Sequence, residues 1–276
     1  MSASERVQRV LRRESFDQVA DQYASARPTY PEALIADLVA LAGLRKAHRV
    51  LEIGAGTGQL TVSLARQGVR LIAIERGANL ARLLAKNVAP FPQVATVVAD
   101  FDEWDAPGGR FDVVVSATAF HWLDPSTRVL KCARFLRPGG ALALVDTRWG
   151  AGARSDRFVE ESQACYARWD PDHDPSFRPL GPDDPPEFGD ELESSGLFET
   201  IVHRRHVCRR EYSARAYCDL LAAFSNILAL DAESRRGLLA CIRELIDGRF
   251  GGNIVSVDAH DLWLARIPHE GAKGGT

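Results

Sequence analysis

The stretch VLEIGAGTGQL, residues 50–60, decides the fold. It begins as an apolar strand, passes directly into the spaced glycines Gly54, Gly56 and Gly58, and continues as a helix-period segment. Glycines in such a turn let the backbone approach a ligand closely, and the N–H groups at the start of the following helix point toward it. The stretch therefore predicts a ligand-binding strand–loop–helix unit.

The glycine spacing separates this loop from two better-known phosphate-binding loops. A dinucleotide fingerprint, G-x-G-x-x-G, would place its third glycine where this chain has Gln59. A lysine would follow the glycines in a P-loop, and none does here. An acid, Glu52, instead stands two residues before the first glycine.

Short apolar runs alternate with helix-period segments on both sides of this loop, which is typical of βαβ units and a parallel sheet. The predicted strands are residues 48–53, 70–75, 94–99, 111–116 and 141–146, and the predicted helices are 31–43, 60–68, 79–87 and 127–136. From about residue 150 the chain changes, and residues 170–196 are rich in proline, aspartate and glycine. A long strand (198–212), two helices (213–230 and 231–250) and a last strand (253–267) follow.

Two acids end successive predicted strands. Glu75 closes the second strand, where its carboxylate can accept from both hydroxyls of a ribose, and Asp100 closes the third, where it can accept from an adenine amino group. Because the carboxyl ends of parallel strands meet at one edge, these acids and the glycine loop are expected to converge on one crevice.

Composition narrows the class of protein. The chain has 276 residues, 46% hydrophobic and 26% charged, with a formal net charge of −3, so we expect no nucleic-acid or membrane partner. The cysteines are scattered without a C-x-x-C pair, so neither a disulfide framework nor a zinc site is expected. We expect a cytoplasmic protein, a monomer or homodimer, and the excess of arginine over lysine is typical of a bacterial source.

With the glycine loop and the two acids at the ends of successive predicted strands, the chain resembles the class I S-adenosylmethionine-dependent methyltransferases. The segments YASARPTYP (23–31) and AFHWLD (119–124) are similar to the branch that acts on small metabolites and includes the trans-aconitate methyltransferases. The resemblance implies that the glycine loop holds the methionine part of S-adenosylmethionine, Glu75 the ribose and Asp100 the adenine. The residues so implied in cofactor binding are Tyr23, Arg27, Glu52, Gly54, Gly56, Gly58, Glu75, Asp100, Phe101 and Ala117.

The same resemblance implies an α/β fold: a Rossmann-like, seven-stranded, mainly parallel sheet with an antiparallel last strand, plus N-terminal helices and a helical and loop-rich cap. We expect a helical N-terminal cover at 1–47 and a cofactor-binding core at 48–150. Residues 151–276 are then expected to supply a substrate cap and to complete the sheet.

His121 has two open interpretations. A histidine near its ordinary pKa of about 6.5 can act as a general base. Alternatively, His121 and Trp122 form a wall that positions cofactor or substrate, which we favour because methyl transfer from a sulfonium mainly requires alignment. Arg148 and Trp149, just after the fifth strand, are candidate substrate contacts, since arginine can bind a carboxylate through two hydrogen bonds. Adjacent Asp172, His173 and Asp174 rarely converge on one ion, so no metal is predicted.

These features predict an enzyme that transfers a methyl group to a small-molecule acceptor. The predicted acceptor atom is an oxygen, of a carboxylate or a hydroxyl, in preference to a nitrogen or a carbon. One alternative is a regulatory protein that binds the cofactor without catalysis, although its glycine loop and acids would be expected to be damaged. The other is an RNA methyltransferase, which the charge and the absence of an N-P-P-Y-like segment after the fourth strand disfavour.

Overall fold

A computed structural model describes residues 15–105, 109–150, 157–177, 181 and 183–269. The strands within these ranges are β1 (Arg49–Ile53), β2 (Arg70–Glu75), β3 (Val94–Val98), β4 (Phe111–Ala117), β5 (Leu136–Arg148), β6 (Thr200–Ser213) and β7 (Asn253–Arg266). They form one seven-stranded sheet in the order β3-β2-β1-β4-β5-β7-β6, with β1 to β5 parallel and the last strands antiparallel. The predicted sheet is confirmed.

The helices connect these strands much as the sequence periodicity predicts. They are α1 (Ala20–Ala26), α2 (Glu32–Ala42), α3 (Thr61–Ala65), α4 (Ala78–Val88), α5 (Arg128–Phe135), α6 (Arg157–Trp169), α7 (Gly189–Ser194), α8 (Ala214–Leu221), α9 (Ser225–Ala229) and α10 (Ala232–Arg249). The single helix predicted over 213–230 is two helices, because the chain leaves helical geometry at Phe224. In the described ranges, no helix is long and apolar enough to cross a membrane.

The strand order places a topological switch point between β1 and β4. The chain runs outward from β1 to β2 and β3, then returns to pair β4 with the other side of β1. Ligands of open α/β sheets bind at such a point, outside the carboxyl ends of the strands. The glycine loop follows β1, and the segment that starts at Thr118 follows β4, so both lie at this point.

The described residues fall into two compact units. The sheet unit comprises Pro28–Thr147, Pro185–His206 and His260–Thr276; the helical unit comprises Met1–Arg27, Arg148–Asp184 and Val207–Ala259. In the sheet unit, Val50 packs in one apolar cluster and its neighbour Leu51 in another. Because both faces of β1 are covered, its residues are apolar without alternation.

The helical unit has its own apolar core and one disulfide. Its core includes Ile227, Leu238 and Ile242, all fully buried. The expectation that the cysteines form no disulfide is wrong, because Cys165 on α6 and Cys241 on α10 are bonded, with their Cα atoms 5.7 Å apart. They are 76 residues apart in sequence, so only the packing of the two helices reveals the pair.

Two glycines of α10 give a matched test of this packing. A Cβ at Gly237 would collide with the indole of Trp169, whereas a Cβ at Gly248 would meet nothing within 4 Å. Alanine normally favours a helix over glycine by about 1 kcal/mol, but overpacking costs about 1–3 kcal/mol. We expect Gly237→Ala to lower the free energy of unfolding in urea and Gly248→Ala to leave it unchanged or raise it. Equal effects of the two changes would contradict this packing.

Candidate active site

The glycine loop is fixed to the end of β2 by its backbone. The N–H groups of Gly54 and Ala55 both donate to the carbonyl of Ile74, at 2.9 and 3.0 Å. Gly54 has φ +70°, and a Cβ there would collide with the Cβ of Ala119. Because this backbone conformation is left-handed and the space is filled, only glycine fits without strain.

Gln59, which stands where a dinucleotide fingerprint has its third glycine, has a local role. Its Nε2 donates to the hydroxyl of Thr57 at 2.8 Å. The carbonyl of Thr57 in turn accepts from Nδ2 of Asn87, on α4, at 2.8 Å. These bonds hold the middle of the loop without a further glycine.

Glu75 ties the loop to the next strand. Its Oε2 accepts from the N–H of Gly56 at 2.8 Å, and its Oε1 accepts from the N–H of Gly77 at 2.8 Å. The residue is only 8% exposed. An ionised carboxylate offers about four acceptor positions, so it can hold these bonds and still accept from two hydroxyls. That geometry fits the ribose role predicted for Glu75.

Glu52 is the buried acid of the loop. It is 2% exposed, and its Oε2 has no hydrogen-bond partner among the described residues. Its pKa is raised from 4.5 to about 8, mainly by burial; a hydrogen bond with Thr61 opposes the rise, and the negative charge of Glu75 adds to it. A positively charged ligand group nearby would offset this cost of charging Glu52. The site therefore fits a cationic cofactor such as S-adenosylmethionine.

Asp100 lies just beyond β3, and it is already held by protein groups. Its Oδ2 lies 3.3 Å from Nε of Arg76, and its Oδ1 accepts from the N–H of Asp102 at 3.1 Å. Phe101 is only 3% exposed and packs against Phe135. The Lys131 ammonium lies 5.1 Å from the centre of the Phe101 ring. Phe101 thus anchors the turn that presents Asp100.

The end of β4 carries Ala117 and then Thr118, whose φ is +53°. The Thr118 hydroxyl is 3.0 Å from that of Tyr30 and 3.2 Å from that of Thr147. The Thr147 hydroxyl is in turn 2.9 Å from Nδ1 of His260. Sequence analysis did not single out these four residues, because nothing in their spacing shows that β5 and β7 are neighbours.

His121 and Trp122 lie on a 3-10 turn that spans Phe120–Trp122. Their rings are in contact but tilted, with centroids 4.8 Å apart and an interplanar angle of 50°, and both side chains are half-buried. The turn is anchored by Phe120, which is 1% exposed. The Phe120 ring packs edge-on against the ring of Phe188, and the Arg128 guanidinium lies 4.6 Å from its centre. The turn thus packs through Phe120 and presents His121 and Trp122 as a pair of adjacent rings.

The remaining predicted residues belong to the helical unit. The Arg27 guanidinium lies 5.1 Å from the ring centre of Tyr23, 5.1 Å from that of Trp149 and 4.5 Å from that of Phe224. Arg148 is 7% exposed, and its NH1 donates to the carbonyl of Asp184 at 3.1 Å. Both arginines are therefore held by specific contacts and are not solvated surface residues. No three metal-binding side chains converge in the part of the chain that is described.

The pKa of Glu52 predicts a pH dependence of stability. Since this pKa lies near 8, above the ordinary value of 4.5, the native state keeps a proton that the unfolded chain loses. The stability of the protein should therefore fall as pH rises from about 5 to 8. Glu52→Gln removes the titratable carboxyl. In urea titrations, the unfolding free energy of this variant relative to that of the wild type should therefore rise by more than about 1 kcal/mol between about pH 5 and 8.

Exposed Glu103 provides the control, since Glu103→Gln should track the wild type at every pH. Parallel stability profiles of the wild type and Glu52→Gln would show that Glu52 is not protonated in the native state.

Comparisons with known proteins agree with this geometry. A family model described as a methyltransferase domain matches residues 50–140, which run from the glycine loop to β5. An uncharacterized methyltransferase of Mycobacterium tuberculosis is 29% identical over 232 residues, 84% of this chain and 85% of the relative. Trans-aconitate 2-methyltransferase of Azoarcus is 32% identical over 134 residues, 48% of this chain and 51% of the relative.

A solved structure shares the fold. The YcgJ protein of Bacillus subtilis gives a TM-score of 0.52 at 18% identity, over 87% of this chain and 100% of that one. The sheet order, the glycine loop held by Glu75 and the matched methyltransferase domain agree with one another. In its sheet order, its glycine loop and its matched domain, the chain is similar to the class I S-adenosylmethionine-dependent methyltransferases.

Proposed function

We propose that this enzyme transfers the methyl group of S-adenosylmethionine to an oxygen of a small-molecule acceptor. The observation that carries the proposal is the buried Glu75 carboxylate, which ties the glycine loop to the end of β2 by accepting from the N–H groups of Gly56 and Gly77. Bound cofactor supplies an electrophilic methyl group on a sulfonium with a good leaving group. The protein then has to align the acceptor and exclude water, which can contribute up to about 7–11 kcal/mol.

In this proposal the cofactor residues divide their roles as the sequence predicts. The loop of Gly54, Gly56 and Gly58 holds the methionine part, and Glu52 lies beneath it as a buried acid. Glu75 holds the ribose hydroxyls, and Asp100 accepts from the adenine amino group while Arg76 fixes its orientation. Each assignment is supported by the bonds that already orient the carboxylate, from Gly56 and Gly77 to Glu75 and from Arg76 and Asp102 to Asp100.

A small-molecule acceptor is supported by the net charge of the chain and by two arginines whose side chains are held by specific contacts. A net charge of −3 provides no basic surface for a polyanion. Arg27 is held among three aromatic rings and donates from NH2 to the carbonyl of Ala223 at 2.9 Å, so its planar cation is oriented in advance. Arg27 is the proposed cofactor contact that the resemblance implies, and Arg148 is the proposed contact for an acidic group on the acceptor, with Trp149 as an apolar surface beside Arg27.

His121 and Trp122 are proposed to position the reactants. Their adjacent, half-buried rings lie together on the turn after β4. A base at His121 is required only if the acceptor must lose a proton, so alignment is the role that every acceptor would share.

The role of the glycine loop in cofactor binding can be tested with a matched pair of glycine-to-alanine substitutions. Gly54→Ala combines a left-handed φ with a clash against Ala119, whereas Gly43→Ala, at the end of α2, has φ +62° and open space around it. The strained backbone should cost both variants about 1 kcal/mol of stability, and the clash should cost Gly54→Ala about a further 1–3 kcal/mol. Only Gly54→Ala should lose S-adenosylmethionine affinity, by more than about 10-fold in isothermal titration calorimetry. Full affinity in Gly54→Ala would remove the loop from the cofactor site.

Catalysis is tested with methyl-labelled cofactor and a panel containing aconitate, fatty acids and phenols. We expect label in an oxygen ester or ether, with Asp100→Ala weakening cofactor binding and His121→Ala slowing transfer while binding is kept. Tight cofactor binding without label in the panel or in a cell extract would contradict the enzymatic proposal. Strong loss of cofactor affinity in His121→Ala would place His121 on the cofactor instead.

A further inference from the structure

A chain of four polar side chains runs through the sheet unit beside the proposed cofactor loop. It passes from the Tyr30 hydroxyl to Thr118 at 3.0 Å, to Thr147 at 3.2 Å, and to Nδ1 of His260 at 2.9 Å. Thr147 lies on β5 and His260 on the neighbouring strand β7. Each link is within hydrogen-bond reach, so the four groups form one continuous path.

The two ends of this path differ in exposure. His260 is 2% exposed, whereas Tyr30 and Thr118 are half-buried. The Tyr30 ring also meets the His260 ring edge-on, with centroids 5.9 Å apart, so the path is packed as a compact group. The path is therefore closer to solvent at Tyr30 and Thr118, and His260 is its interior end.

The path also adjoins the glycine loop. Ala119, the residue after Thr118, fills the space that a Cβ on Gly54 would need. Thr118 holds φ +53°, a left-handed conformation that is unfavourable for a threonine and that costs about 1 kcal/mol or more. Such strain is found where a side chain must point in one direction, and here that direction joins Tyr30 to Thr147.

The direction of the hydrogen bonds decides what the path can do. A hydroxyl has one proton to donate and can accept two bonds, so a proton can pass along the whole path only if all three bonds run the same way. A phenol is the strongest donor of the four groups, with an ordinary pKa of about 10, and a neutral imidazole nitrogen is the strongest acceptor. The favoured direction is therefore Tyr30 to Thr118 to Thr147 to an unprotonated Nδ1 of His260. In that direction the Tyr30 oxygen is the group that takes up the next proton.

We propose that this path removes the proton of a hydroxyl acceptor and delivers it to His260, so that the enzyme methylates hydroxyl groups in preference to carboxylates. This inference rests on the proposed function and narrows its substrate class. His260, not His121, is then the proton store, and it acts through the three hydroxyls without touching the acceptor. The reverse polarity would make Tyr30 a donor suited to a carboxylate.

The step balances as one concerted shift. The acceptor oxygen forms a bond to the methyl carbon as the carbon–sulfur bond breaks, and the electron pair of that bond stays on sulfur. The acceptor proton passes to the Tyr30 oxygen, the Tyr30 proton to Thr118, the Thr118 proton to Thr147, and the Thr147 proton to Nδ1. The products are a neutral thioether, a methyl ether and the His260 imidazolium.

The first test needs no acceptor. Nitrogen-15 spectra of the full chain with labelled histidine should show the His260 ring with Nδ1 unprotonated and Nε2 protonated; His260→Asn, which lacks the ring, assigns its signals. Thr147→Val should shift the Nδ1 resonance, while Thr96→Val on β3 should not. A proton on Nδ1 would overturn the proposal, because that nitrogen could then accept nothing from Thr147.

The second test uses 4-hydroxybenzoate, which offers a phenol and a carboxylate on one ring. We expect the methyl ether as product, with kcat lowered about 100-fold in His260→Asn and in Thr147→Val while KM and cofactor affinity are kept. Asparagine can keep a hydrogen bond to Thr147 but cannot store a proton, so recovered activity in His260→Asn would overturn the relay. A methyl ester as the only product would also overturn it.

If 4-hydroxybenzoate gives neither product while the cofactor binds, the result counts against the proposed function for phenols. The nitrogen spectra then decide the direction of the path independently, since Nδ1 either accepts or donates.

Discussion

The site depends on one carboxylate, that of Glu75, bonded to the backbone on both of its oxygens. One oxygen accepts from Gly56 in the loop after β1, and the other accepts from Gly77 at the start of α4. Two strand ends and a helix start are therefore held at fixed distances by a single buried side chain. Loss of this tie would release Gly56, leave the loop held to β2 by the bonds from Gly54 and Ala55 to Ile74, and remove an acceptor for the ribose.

The same arrangement creates an electrostatic requirement. Glu52 lies close enough to Glu75 for the charge of Glu75 to raise its pKa, and burial raises it more. Two acids in one desolvated loop are costly to ionise together without a cation. A sulfonium cofactor that also carries an ammonium group supplies that positive charge. The two buried acids are therefore consistent with a cofactor of this class.

Local patterns in the sequence were sufficient for the sheet, the glycine loop and its acids. β1, β2 and β4 are buried on both faces, so they are continuous apolar runs, and Glu75 directly ends one of them. Features that depend on the packing of distant segments were not predictable. The Cys165–Cys241 disulfide requires α6 against α10, and the path from Tyr30 to His260 requires β5 beside β7. Helix α6 was also missed, since it adjoins a region rich in proline and glycine.

The turn after β4 shows how structure changes an interpretation drawn from residue type. His121 and Trp122 draw attention in the sequence, but Phe120 provides the packing and Thr118 holds the strained backbone. The polar groups that reach the interior are therefore threonines and a tyrosine, residues whose chemistry is visible only once their partners are known. His260 joins them from β7, 113 residues after its partner Thr147.

A crystal structure of the enzyme with S-adenosylhomocysteine tests the central claim most directly. We predict that both ribose hydroxyls donate to the Glu75 carboxylate at about 2.5–3.0 Å while Gly56 and Gly77 keep their bonds to it. A ribose bound elsewhere, with Glu75 contacting only Gly56 and Gly77, would contradict the account.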